Sequence, residues 1–230
     1  MLNKYTIYGE RCSGTNYLEN IININFDINI TWEYGWKHFF GFQNEKLKNS
    51  DDTLFICIIR DPVDWINSFY REKHHLPLRY KKKLSKEETL NEFLNKKFWS
   101  FNDGNKNRDV SKEIMEDRNI FNGKRYKNIF ELRHFKIKWM FENLPKKVKH
   151  YIIIKYEDLI NDFNNTLIKI KDKGLKVREN INFPSNSNNY KNIKNTVFTK
   201  NENNIPSEKI LNNPNLIQFY ENKLGYIKIK

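Results

Sequence analysis

Two rhythms of apolar and polar residues alternate along this chain. "KYTIYG" (residues 4–9) is a short β-branched and aromatic run closed by a glycine, and it predicts a buried strand. "GTNYLENIININF" follows with Leu18, Ile21, Ile22 and Phe26 near one face, the spacing of a helix. "NITWEYGWKHFF" (29–40) reads as a second strand ending in the polar pair Lys37–His38. "TLFICIIR" (53–60) is unbroken apolar sequence, as in strands covered on both faces. After it, "DPVDWINSFYR" predicts a helix with Asp61 as N-cap and Pro62 at its first position. "HYIIIKY" (150–156) predicts a fourth strand.

Between and after these lie further helices. Ser85 and Glu88 form a capping box ahead of "TLNEFLNKKFW". A long amphipathic helix is expected through "YKNIFELRHFKIKWMFENL", stopping before Pro145, and another through "EDLINDFNNTLIKIKDKG", closed by Gly174. Residues 180–204 are Asn-rich and read as loop, and "PSEKILNNPNLIQFYENKLG" reads as a last helix with Pro214 placed to break it. Strands alternating with helices predict an α/β fold, a three-layer sandwich with a central parallel sheet. The 230 residues are expected to form one domain with a mostly helical insertion at about 73–145.

Composition adjusts this picture only at the edges. The chain has 38% hydrophobic residues, no early apolar leader and no run long enough to cross a bilayer, so a soluble, cytoplasmic protein is expected. Cys57, inside the third strand, reads as a small buried hydrophobe, and two cysteines make no disulfide framework. The formal charge of +13 attracts polyanions, but Lys, Asn and Ile are abundant together and the lysines are scattered. No nucleic-acid module is recognisable, so a single polyanionic ligand is the expectation rather than a nucleic acid. His74 and His75 read as part of a solvated basic loop, without further metal ligands.

The candidate chemistry begins at "YGERCSGTNYL". Gly9 and Gly14 have the G-x-x-x-x-G spacing of a phosphate-cradling loop between strand and helix, although the same pair can mark an ordinary turn. Thr15 and Asn16 stand where a nucleoside triphosphatase places Lys and Ser or Thr. Loop amides and a helix N-terminus suffice for one phosphate, and the missing lysine argues against a Mg²⁺-bound triphosphate. Cys12 lacks the arginine six residues on that a cysteine phosphatase needs, since Leu18 is there, so it reads as a packed or solvent-facing thiol.

A second anion site is legible after the third strand. Arg60 sits at its carboxyl end, where open α/β sheets bind ligands, and Ser68 shares a helix face with Asp61. Guanidinium and hydroxyl together can grip a phosphate; alone, Arg60 would simply pair with Asp61 or Asp64.

"RCSGTNYL" with "IIRDPVDWINSFYR" resembles the paired signature of sulfotransferases that use 3′-phosphoadenosine 5′-phosphosulfate (PAPS), and "IIIKYEDLI" resembles a strand-to-helix segment of the same family. The likeness covers roughly residues 4–72 and 150–170. It implies a P-loop-like sulfotransferase fold, PAPS as sulfuryl donor, a hydroxyl-bearing acceptor and no metal. It implies that Arg11, Cys12, Ser13, Gly14, Thr15 and Asn16 hold the 5′-phosphosulfate and that Arg60 and Ser68 hold the 3′-phosphate. Two departures stand out: Cys12 replaces the family's usual loop lysine, with Arg11 as the nearest cation, and no Arg-Lys-Gly element appears near the C-terminus. Lys191, Lys194 or Lys200 are the available substitutes for that element.

Sulfuryl transfer needs a base for the acceptor proton and positive charge for the oxygens. His38 is the expected base, with Lys37 and Arg11 as cations. Neighbours on a strand point to opposite faces, so Lys37 and His38 share the site only if the strand has ended by then. Arg133 and Tyr126 are candidates for an acceptor pocket within the insertion. Two rival readings remain open: a divergent P-loop nucleotide kinase, and a non-catalytic protein on this fold that binds anionic ligands.

Overall fold

A computed structural model of the chain describes residues 2–72, 75–76, 86–101, 113–178 and 203–227. In chain order the elements are β1 (Lys4–Gly9), α1 (Thr15–Asn25), β2 (Asn29–Ile30), α2 (Asn44–Leu47), β3 (Thr53–Ile59), α3 (Pro62–Glu72), α4 (Lys86–Asn95), α5 (Ile129–Lys138), β4 (His150–Lys155), α6 (Tyr156–Asn161), α7 (Phe163–Lys171), α8 (Ser207–Leu211) and α9 (Gln218–Lys223). The strands form one parallel sheet in the order β2-β1-β3-β4, flanked by helices, so the α/β class expected from the alternating pattern is what the chain adopts. His74, Ser85, the Glu88 side chain, Lys191, Lys194 and Lys200 lie outside the described residues. No helix among the described residues is long and apolar enough to cross a membrane.

The described residues group into two compact units. One draws on 1–61 and 143–202, the other on 62–142 and 203–230. In the first, β3 is buried along its whole length between β1 and β4, which is why its sequence carries no polar alternation. Leu54, Ile56 and Ile58 face Leu18, Ile21 and Ile22 of α1 and Leu167 and Ile170 of α7 in one continuous core. Burial pushes the Cys57 thiol far above its ordinary value, so this cysteine is inert hydrophobic filling.

In the second unit, α3, α4, α5, α8 and α9 close around a cluster of aromatic rings. Phe69 lies 5.8 Å from Trp65, 5.7 Å from Phe93 and 5.8 Å from Phe98. Asn67 ties α3 to the start of the C-terminal segment by donating to the Ile205 carbonyl (3.2 Å) and accepting from its N–H (2.7 Å). Asn128 caps α5 by accepting from the Glu131 N–H at 2.9 Å, and Glu131 reaches back to the Lys127 N–H at 2.5 Å, a capping box shifted by one residue.

Several elements are shorter than the pattern predicts. The second strand ends at Ile30 instead of reaching His38: Gly35 turns the chain with φ 108°, and the aromatic residues beyond it pack as loop. Phe40, for example, stacks on Tyr8 at 4.8 Å between ring centres. The long helix stops being α-helical at Lys138 and finishes as a π turn (Trp139–Asn143) and a 3₁₀ turn containing Pro145. The helix after β4 divides at Asp162, whose backbone leaves the helical region (φ −136°, ψ 52°) and whose carboxylate accepts from the Asn165 side chain (2.7 Å) as the chain restarts in α7. Pro214 does separate α8 from α9. His75 is half-buried rather than solvated, donating from Nδ1 to the Phe101 carbonyl at 3.1 Å.

Candidate functional site

The first unit has its topological switch between β1 and β3: the chain leaves β1 for β2 on one side, while β3 lies on the other. Ligands of open α/β sheets bind outside the carboxyl ends of such a strand pair. Three segments meet there: the loop Glu10–Gly14 after β1, Arg60 after β3, and the turn carrying Lys37 and His38.

The loop's shape follows from its glycines and one serine. Ser13 donates from its hydroxyl (2.6 Å) and its N–H (3.1 Å) to the Glu10 carbonyl, folding the loop back on itself. A methyl group on Gly9 would sit 2.7 Å from both Ser13 Oγ and Ile58 Cγ2, so only glycine lets the loop lie this close to β3. Cys12 and Gly14 both have positive φ, 63° and 93°, and a Cβ on Gly14 would clash with the Tyr156 ring, 2.4 Å from Cδ2 and 2.7 Å from Cε2. Gly14 is also the N-cap of α1. The first helical bond runs from the Leu18 N–H to its carbonyl, no side chain caps the helix, and its first turn has no acidic residue. With no side-chain cap and no acid in its first turn, this terminus presents the partial positive charge that attracts an anion.

Cations surround the loop, each held in place. Arg60 donates from Nη1 to the Cys12 carbonyl (3.2 Å) and lies 4.6 Å above the Tyr156 ring. Tyr156 is therefore a shared floor under Gly14 and Arg60. Its sequence signal was weak but present: an aromatic residue immediately after a strand, inside "IKYEDL". The neighbouring Glu157 accepts the Asp61 N–H at 2.9 Å, joining the ends of β3 and β4. Arg11 is buried, 5.7 Å from the Phe39 ring centre.

Lys37 and His38 occupy the two central positions of a tight turn, with the Phe39 N–H bonded to the Trp36 carbonyl at 2.9 Å. The opposite-face objection falls away because no strand persists here. Lys37 accepts at its carbonyl from the Gly9 N–H (3.0 Å), while its buried ammonium reaches Asn16 Oδ1 and Glu19 Oε2 (3.3 Å) on α1. Trp32 and Trp36 lie 5.6 and 5.3 Å from it. His38 Nδ1 is 2.8 Å from the Gly9 carbonyl. A carbonyl only accepts, so Nδ1 carries the proton and Nε2 is the basic nitrogen of the neutral ring.

Thr15 is buried at the first position of α1, and Asn16 is exposed apart from its bond to Lys37. Ser68 belongs to α3 in the second unit, where its hydroxyl accepts from Arg71 Nη2 at 3.3 Å. Within that unit Arg133 and Tyr126 are interior residues: Arg133 pairs with Glu221, and the Tyr126 hydroxyl donates to the Arg118 carbonyl at 2.9 Å.

No family model matches the chain, and no curated protein matches it. Among solved structures it is similar to mouse sulfotransferase SULT7A1 complexed with PAP, at 18% identity and a TM-score of 0.41 over 77% of this chain. The match spans 61% of that protein's length.

Proposed function

We propose that the chain is a sulfotransferase that moves a sulfuryl group from PAPS to a hydroxyl acceptor. The observation that carries this reading is the uncapped N-terminus of α1, set behind a lysine-free loop, with Arg60 on one flank and an Nδ1-protonated His38 on the other. The donor supplies an activated sulfuryl group on a nucleotide phosphate, and both ends of such a molecule need positive charge.

Backbone N–H groups around Ser13, Gly14, Thr15 and Asn16 would hold the 5′-phosphosulfate and take up charge as the bond from sulfur to the phosphate oxygen breaks. Arg11 and Lys37 add fixed positive charge beside this loop, and Lys37 also steadies Asn16. Cys12 contributes through its backbone, since its carbonyl anchors Arg60. Arg60 would meet the 3′-phosphate, and Ser68 is assigned to the same group on its sequence spacing from Arg60. His38 Nε2 would take the acceptor's proton as its oxygen bonds to sulfur, while the Gly9 carbonyl holds the ring in the required tautomer.

The test is a thermal scan followed by turnover. 3′-Phosphoadenosine 5′-phosphate should raise the melting temperature without Mg²⁺, by the equivalent of ~2.7 kcal/mol at 100 times its Kd, and ATP should do far less. An equal response to ATP with Mg²⁺ would favour the kinase instead. His38→Ala should keep that nucleotide response yet lower sulfuryl transfer to a surrogate alcohol by ~10²–10⁴. Nucleotide binding with no transfer by the parent protein, across a panel of alcohols, would leave only the binding-protein reading.

A further inference from the structure

The second unit contains a cavity of about 420 Å³ lined by Lys97, Arg118, Asn119, Asn122, Lys124, Arg125, Lys127 and Glu131. Five cations against one carboxylate leave four positive charges in that lining, or three once the adjoining Glu113 is counted. Scattered surface lysines do not make such a place. Here two guanidiniums are fixed before any ligand arrives. Glu113 accepts from Arg125 Nε (3.1 Å) and Nη2 (2.7 Å), and lies 3.0 Å from Arg118 Nε. Arg125 also lies 4.2 Å above the Trp99 ring.

The loop between the arginines is equally set. The Asn119 N–H donates to the Lys124 carbonyl (2.9 Å), and Asn122 Oδ1 accepts the Lys124 N–H (2.9 Å), so the Lys124 backbone is held from both sides. Lys124 and Lys127 are exposed, and their flexible ammonium groups add movable positive charge beside the guanidiniums that Glu113 holds in place. The volume falls within the ~300–1,000 Å³ of small-ligand sites. An excess of positive charge in a concave place focuses the field on a compact ion rather than on a long strand.

We propose that this cavity binds a compact anion bearing two or more phosphate or sulfate groups. The inference stands apart from the β1–α1 loop and does not depend on the reaction assigned there.

The experiment is titration calorimetry of the full chain at fixed ionic strength with inorganic tripolyphosphate, a trisulfated disaccharide and inorganic phosphate. Tripolyphosphate or the disaccharide should bind at least tenfold tighter than inorganic phosphate, and whichever binds tighter identifies phosphate or sulfate as the natural chemistry. Lys124→Ala with Lys127→Ala should weaken that binding at least tenfold. The charge-matched pair Lys169→Ala with Lys171→Ala, on exposed positions of α7, should change it less than twofold. The melting response to 3′-phosphoadenosine 5′-phosphate should persist in the Lys124/Lys127 variant. Equal weakening by both pairs, no weakening by either, or parallel loss of the nucleotide response would overturn the assignment.

Discussion

In the first unit β3 is buried from end to end and is apolar from Leu54 to Ile59, whereas the second unit closes on two complete ion pairs within its interior. Arg133 and Glu221 form a two-pronged contact (2.5 and 2.8 Å) between α5 and α9, both almost fully buried. One turn further along α5, Lys136 meets Asp117 at 2.5 Å with neither side chain exposed, and Ser100 donates to the other Asp117 oxygen. The buried cations of the first unit, Arg11 and Lys37, belong instead to the carboxyl end of the sheet, around the loop. One unit therefore places buried charge where a ligand is expected; the other uses it to fix how a helix sits. A sheet with an apolar face tolerates exchange of one aliphatic group for another. A helix pinned by charges on two sides is specified by its partners, and removing one partner strands the other.

That contrast gives the largest expected effect. Lys136→Met should destabilise the second unit by ~3–5 kcal/mol, because the Asp117 carboxylate is left buried without its cation. Adding Asp117→Leu should restore much of the loss, though not all, since Ser100 then lacks its acceptor. In the sheet, Ile56→Ala should cost ~2–5 kcal/mol through the cavity it leaves, with no single partner change able to restore it. Urea unfolding of the four proteins measures this. Failure of the double variant to recover would mean that α5 is held by packing, as the sheet is.

A second pair of variants compares glycines in the two units. Gly14 and Gly123 both have positive φ, 93° and 69°, but a Cβ at Gly123 meets nothing within 4 Å. Gly123→Ala should therefore cost only the left-handed backbone term, ~1–2 kcal/mol. Gly14→Ala adds overpacking against Tyr156, for ~2–4 kcal/mol in total. It should also weaken the response to 3′-phosphoadenosine 5′-phosphate, which Gly123→Ala should leave intact. Equal costs would show that Tyr156 yields, and that it is not a rigid floor for the loop.

The first unit was the more legible in sequence, for a physical reason. Its elements are fixed locally: an unbroken apolar run for a strand and a glycine-bounded loop. Two elements there were read too long: the strand to His38, drawn out by aromatic residues such as Tyr34 and Phe40, which bury themselves in loops as readily as in strands, and the helix that Asp162 divides. The second unit depends on partners far apart in the chain. Glu221 lies 88 residues from Arg133, and Asp117 lies 19 from Lys136, so no local spacing announces either pair. Arg133 consequently read as a candidate for an acceptor pocket, and the basic cavity around Arg118 and Arg125 merged into a scattered positive charge. At the loop, Gly14, Arg60 and His38 stood out in the sequence as candidates, and the structure gathers them at the carboxyl ends of β1 and β3. The tautomer of His38 and the shared Tyr156 ring were not legible there, because both depend on contacts across the sheet edge.

The smallest effect comes from the second unit's half-exposed charges, which test whether its dependence on ion pairs extends outward. Burial raises the Glu113 carboxyl, but hydrogen bonds from Arg125 and Arg118 outweigh it and hold the group below its ordinary value. A carboxyl lowered in the folded state adds stability that is complete above the unfolded value of about 4.3 and disappears as pH falls through the lower folded value. Stability measured from pH 6 down to pH 3 should thus drop more steeply in the parent than in Glu113→Gln. Because Arg125 is 39% exposed, the difference should be that of a surface pair, ~0.2–1 kcal/mol. A steeper drop would place Glu113 with Asp117 among the charges that hold the unit together. Parallel curves would confine that role to the two interior pairs and leave Glu113 the task of fixing the arginines of the basic cavity.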